Sequence, residues 1–179
     1  MPVLVAALVL VGLIATVNLV LTLGVVKRLR EHGELLTTLG GGPASLLAGE
    51  EVGEFATVTV DDRPLDRTSL NGETIVGFFS PTCQPCQEKL PKFIDYARTR
   101  AGGARQALAV VVGDAEQGAD FVSRLSPVAR VVLETSDGPM SSAFRTRAFP
   151  TVLMVAPDDE GRLVVTDDRV ALDQPSALV

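Results

Sequence analysis

The run Thr74-Ile75-Val76-Gly77-Phe78-Phe79 carries no charge, and Cys83-Gln84-Pro85-Cys86, following within a few residues, opens a stretch in which Leu90, Phe93, Ile94 and Ala97 recur at helical spacing. An unbroken apolar run closed by Ser80-Pro81 reads as a strand buried on both faces, and the later spacing as an amphipathic helix. A strand that passes into a helix through a Cys-x-x-Cys pair confines the chain to α/β architectures and sets both thiols at a helix N-terminus. They are the only two cysteines of the chain.

Unpaired N–H groups and the macrodipole at a helix N-terminus stabilise negative charge, so a thiolate is favoured there. Cys83, nearer the end, is the expected attacking thiolate. Cys86, one turn on, is placed to attack a mixed disulfide formed on Cys83 and to release the substrate as a dithiol. A structural zinc site wants about four Cys/His ligands, whereas the single histidine, His32, lies next to the apolar N-terminal segment. A purely structural bridge over so short a loop removes little unfolded-chain entropy. Redox exchange therefore ranks ahead of a structural bridge, an inert pair or a metal site.

Beyond the cysteines, the ordered motifs are Gly53-Glu54-Phe55 with Asp61-Asp62-Arg63-Pro64-Leu65, Phe78-Phe79 with the cysteine pair, Pro91, the strand from Leu108 to Asp114, Phe149-Pro150-Thr151, and the turn Asp158-Asp159-Glu160-Gly161-Arg162. From about Gly53 to Val165 this order resembles the thioredoxin-like proteins, especially the membrane-anchored TlpA/ResA type and its MauD-like subgroup. The resemblance implies a thioredoxin-like fold, a central mixed sheet flanked by helices, with a cis Pro150 packed against the disulfide. It implies that Phe149 offers its backbone N–H and C=O to an extended substrate segment, making Phe149 and Pro150 the docking surface. It also implies a redox-active Cys83–Cys86 disulfide with no metal or organic cofactor. Implied partners are protein disulfides and a membrane-embedded electron donor. Clients suggested by the resemblance include apocytochrome c, as in cytochrome c maturation, or a disulfide-rich dehydrogenase subunit under assembly.

The chain departs from that pattern in three places. The usual flanking tryptophans are replaced by Phe79 and Thr82, the chain having no tryptophan at all. The buried acid that thioredoxin keeps six residues before the first cysteine is Gly77 here, leaving Glu88 as the candidate for proton handling, although an exposed helix-face glutamate is the commoner meaning of such a residue. A peroxiredoxin-type peroxidase would need proline and threonine where Val76 and Ser80 stand, and is disfavoured. The other class of function compatible with these departures is a non-catalytic thioredoxin-fold binding module or assembly factor at the membrane.

Residues 1–26 contain no charged side chain, with Thr16, Asn18 and Thr22 among the few polar interruptions. About 20 such residues span a bilayer core, and no basic n-region or small-residue cleavage site of a signal peptide is evident. A single transmembrane anchor over 1–26 is expected. Lys27, Arg28 and Arg30 follow it, and by the positive-inside rule they would hold the next domain in the cytoplasm. The resemblance implies an extracytoplasmic domain on a single-pass cell-membrane anchor, and that is the expectation adopted. Residues 27–50, ending in the Gly40-Gly41-Gly42-Pro43 run, read as a tether. Residues 51–179 read as one domain of ordinary size.

A net charge of −6 excludes a nucleic-acid surface as the leading reading. Within the domain, strands are expected at 55–60, 74–79, 107–112, 128–133, 151–156 and 162–166, and helices at 84–100, 116–125 and 139–146. Of these, 128–133 is open between a core strand and a segment covering a helix. The C-terminal helix that completes a thioredoxin fold is expected to be short or absent.

Overall fold

A computed structural model describes residues 43–100 and 102–173, together with Gly12. All of the expected anchor but Gly12, and most of the tether, lie outside the described residues. Among the described residues, no helix is long and apolar enough to cross a membrane.

The all-apolar runs form the centre of the sheet because they are covered on both sides. β1 (Ala56–Val58) and β2 (Pro64–Asp66) make a short antiparallel hairpin. β3 (Thr74–Phe79) leads into α1 (Gln84–Thr99), then β4 (Ala107–Val112), α2 (Ala115–Leu125), β5 (Arg130–Glu134), α3 (Pro139–Ala143), β6 (Thr151–Pro157) and β7 (Leu163–Asp167). The sheet order is β5-β4-β3-β6-β7, with β3–β4 and β4–β5 parallel and β3–β6 and β6–β7 antiparallel. The segment read at 128–133 thus supplies a true strand, β5, shifted to Arg130–Glu134 at the parallel edge.

Alternation along β3 and β4 divides the core. Ile75, Phe79, Ala107, Ala109 and Val111 face α1 and α2, meeting Leu90, Phe93, Ile94, Phe121 and Leu125. Val76, Phe78, Leu108, Val110 and Val112 face the other way, against Phe55, Leu65, Met140 and Phe144. Pro91 lies inside α1 on its exposed side. Leu90, Phe93, Ile94 and Ala97, the positions that predicted the helix, are buried.

Two local features differ from the expectation. Residues 44–50, placed in the tether, belong to the packed unit: Leu46 is buried, and its N–H donates to the Phe144 carbonyl at 3.1 Å, while the Gly49 N–H donates to Val165 at 2.8 Å. Leu46-Leu47 is too short an apolar stretch to stand out beside the Gly-Gly-Gly-Pro run. The last helix ends at Ala143, short of 146, because Arg145 adopts φ of 50°. There the Thr146 N–H bonds Ser141 and the Arg145 N–H bonds Ser142, a Schellman closure usually made by glycine. The start of α3 is held by the buried Glu134, whose carboxylate accepts the Met140 and Ser141 N–H groups at 3.0 and 2.7 Å.

Among the described residues no helix follows β7. Val170 and Leu172 instead turn into the core on the α1 side. The Asp158–Arg162 turn forms as expected, with Asp158 Oδ1 accepting the Glu160 and Arg162 N–H groups and Gly161 at φ of 77°.

Candidate functional site

The cysteines stand where the C-terminal end of β3 meets the start of α1. Cys83 is the N-cap residue in extended conformation, with Pro85 in the first turn. A proline there lacks only an N–H that would have no helical partner in any case. The Cys83 carbonyl accepts the Cys86 N–H at 3.0 Å, so one helical turn separates the two side chains.

Burial divides them. Cys83 is half-buried and Cys86 fully buried, both as free thiols. The Cys83 thiol donates to the Phe149 carbonyl at 3.4 Å, and the Ser80 N–H donates to Cys86 Sγ at 3.4 Å. The Phe149–Pro150 bond is cis, and the loop that carries it is closed by Thr151 Oγ1 donating to the Ala148 carbonyl at 2.7 Å. The structure therefore brings Cys83 and Cys86 together with Phe149 and Pro150, although Phe149 lies 66 residues beyond Cys83 in the chain.

Glu88 is not brought into this group. It is exposed on α1, where its Oε1 accepts from Gln84 Nε2 at 3.5 Å. With Pro85, Lys89, Lys92, Pro150 and Leu172 it lines an open groove of about 530 Å³ running from the cis proline along α1. Across the groove Lys92 pairs with Asp173 at 2.7 Å. Sequence reasoning missed the Ser80 N–H, which is a backbone group and leaves no side-chain signature. It also missed Val170 and Leu172, whose isolated apolar positions carry no period.

Behind the pair the wall is apolar. Phe79, standing where the family has a tryptophan, is fully buried and meets Phe93 edge-on, centroids 5.2 Å apart and planes at 71°. Thr82, at the other tryptophan position, is exposed. A Cβ on Gly77 would lie 2.6 Å from Phe79 Cε2 and 2.8 Å from Phe93 Cε2. The space of thioredoxin's buried acid is thus filled by two rings.

Electrostatics follow from that wall. Burial, then the hydrogen bond to the Cys83 sulfur, push the Cys86 thiol up from 9.0 to about 12, with the Ser80 N–H pulling the other way. The folded state holds this proton more tightly than the unfolded chain does. Between pH 9.0 and about 12 the unfolded thiol has ionised and the folded one has not. Stability of the reduced protein should therefore fall as pH rises through that window. Urea midpoints of the reduced protein, measured from neutral pH to above 9.0, should drop more steeply for the native chain than for Cys86→Ala. Parallel curves would mean that Cys86 does not titrate this way.

No protein-family model and no curated protein matches the chain. Solved structures do. The solution structure of a thiol:disulfide interchange protein from Bacteroides sp. superposes with TM-score 0.56 at 15% identity, over 72% of this chain and 84% of that one. The thioredoxin domain of a thiol-disulfide oxidoreductase from Bacteroides vulgatus gives 0.53 at 16%, over 68% and 88%. The fold is thioredoxin-like. A DsbF homologue from Corynebacterium diphtheriae gives 0.51 at 14%, over 75% and 90%. In these thioredoxin-like terms, β3 is the central strand before the cysteines and β6 the strand after the cis proline. Among the described residues, no group of three or more His, Cys, Asp or Glu side chains is placed to hold a metal ion.

Proposed function

We propose that the chain is a membrane-tethered thiol–disulfide oxidoreductase that reduces protein disulfides through Cys83 and Cys86. The observation that carries this reading is how the two sulfurs are disposed. The Ser80 N–H serves Cys86, buried one helical turn behind Cys83, and the Cys83 thiol occupies the Phe149 carbonyl beside the cis Pro150. A structural bridge has no need of a half-buried sulfur set against a backbone carbonyl beside a cis proline.

In the forward step the Cys83 thiolate attacks one sulfur of the client disulfide. A Cys83–client bond forms, the client S–S bond breaks, and the leaving sulfur takes a proton. With Cys83 committed to that bond, its thiol no longer occupies the Phe149 carbonyl, which becomes available to a client backbone N–H in the manner of an added strand. The same event removes the contributions of Cys83 that hold the Cys86 proton, leaving burial opposed by the Ser80 N–H. Cys86 then ionises more readily and attacks Cys83 Sγ. The client leaves as a dithiol and the protein holds the Cys83–Cys86 disulfide, two electrons having passed to the client. Glu88 is the proposed proton acceptor only by way of water, since it lies in the open groove.

The uncharged residues 1–26 support the tether, and the resemblance to TlpA/ResA-type and MauD-like proteins supports a domain on the extracytoplasmic side. Recycling the disulfide there calls for a membrane-embedded dithiol donor. Reduction is favoured over oxidation by Pro85 at the second position between the cysteines, as in the reducing members of that type. The similar structures are described as oxidoreductases and interchange proteins, but the reading rests on this chain's own thiols.

The test is trapping. Cys86→Ser should accumulate a covalent adduct with a disulfide-bonded client, visible as a reductant-sensitive band. Cys83→Ser should give none. An adduct formed equally through Cys86 would reverse the assigned roles.

A further inference from the structure

At the end of the sheet away from the cysteines, where β3, β4 and β5 begin, an open cleft of about 460 Å³ is lined by Arg130, Arg105, Arg63, Thr59, Ser69 and Asn71. Arg130 is the first residue of β5. Its Nη2 donates to the Arg105 carbonyl at 2.8 Å and its Nη1 to the Ser69 carbonyl at 3.4 Å. These carbonyls are neutral acceptors. Its Nε is buried and has no hydrogen-bond partner among the described residues.

Arg67, Arg98, Arg100, Arg124, Arg145 and Arg162 each meet a carboxylate. In a chain with 22 acidic against 16 basic side chains that is the expected condition. Of the three arginines lining this cleft, Arg105 and Arg130 meet none among the described residues, as is also true of Arg147 elsewhere. Arg63 at the rim does, pairing with Asp61 at 2.8 Å. Burial alone acts on the Arg130 guanidinium, lowering its pKa with no anion to oppose the shift.

The Nε itself is sealed from a ligand, but each Nη carries a second N–H beyond the one given to a carbonyl, and a guanidinium with no facing carboxylate matches tetrahedral and planar oxyanions. We propose that this cleft binds a phosphate-type oxyanion, held by the Arg130 guanidinium and Arg105, with the hydroxyl and amide side chains of Ser69 and Asn71 at its margin. The volume suits a phosphate on a small organic group. The site lies at the opposite end of the parallel strands from Cys83, so occupancy leaves thiol exchange unchanged.

The experiment uses the full chain in zwitterionic detergent at constant ionic strength. Inorganic phosphate is titrated in one arm, and micelles doped with phosphatidylglycerol replace it in the other, with the thermal midpoint followed in both. A saturable rise in midpoint with phosphate assigns the site to a free anion, and a rise only with the doped micelles assigns it to a lipid headgroup. Either rise should be lost in Arg130→Gln and weakened about tenfold or more in Arg105→Gln. Arg105 is exposed, so that variant reports on binding even if Arg130→Gln fails to fold. Arg124→Gln, on α2, should behave as the native chain. No saturable rise in either arm, or a rise that survives both cleft substitutions, would overturn the proposal.

Discussion

Replacing Cys83 by serine should bring dithiothreitol-dependent reduction of insulin to the uncatalysed rate, a loss of more than about a hundredfold. The size of the effect follows from how the two sulfurs are disposed. Cys83 is half-buried and open to a client, whereas Cys86 is sealed beneath it, with its proton held by burial and by the neighbouring sulfur. A hydroxyl at position 83 keeps the donor to the Phe149 carbonyl but cannot attack a disulfide. Cys86, out of reach of any client, cannot substitute. Cys86→Ser should behave differently, passing through a first attack and then stalling as an adduct. Rates taken with equal enzyme in the same buffer decide the matter, and activity surviving in Cys83→Ser would remove Cys83 as the nucleophile.

Substitution of Gly77 should be the most damaging single change outside the cysteines. β3 holds Gly77 opposite Ala109 on one side and Val152 on the other, and the rings of Phe79 and Phe93 occupy the volume above it. Both rings are fully buried and lock against each other, so neither can swing away as an exposed side chain would. Gly77→Ala should cost about 1–3 kcal/mol from overpacking. Gly77→Asp, which restores the acid of thioredoxin, adds a carboxyl with no polar partner there and should cost several kcal/mol more. Against a total stability of about 5–15 kcal/mol, that removes a large share of it. Urea unfolding followed by circular dichroism measures both. An alanine variant as stable as the native chain would show that the rings can move, and that the missing acid is a free choice of sequence.

The same two rings explain what was readable in the sequence. Phe79 closes the unbroken apolar run that predicted the strand, and Phe93 belongs to the helical spacing that predicted α1, with the cysteines between them. β4 was readable for the same reason, since parallel strands covered on both faces become unbroken apolar runs, whereas β5, which starts at Arg130 and ends at Glu134, left its segment open. The pairing of the Cys83 thiol with Phe149 joined two motifs that the family order had already set side by side. What could not be read was made by single residues or by backbone. The Ser80 N–H has no side-chain signal. Arg145 takes a backbone conformation that the sequence would assign to glycine, and Leu46 reaches the core from a stretch that looks like a tether. Glu88 stands as a candidate for proton handling from its place two residues past Cys86, and what sequence spacing could not show is that it lines the open groove beside Pro85 and Pro150.

The most direct measurement is the reduction potential of the Cys83–Cys86 couple in the full chain, by equilibration in dithiothreitol or glutathione buffers and counting of free thiols. The account predicts one two-electron transition lying nearer to the roughly −270 mV of thioredoxin than to the roughly −120 mV of DsbA. A value near the oxidising end would contradict the reductase direction. Failure of the two thiols to form a reversible disulfide at any poise would contradict the central claim and leave a thioredoxin-fold binding module in its place.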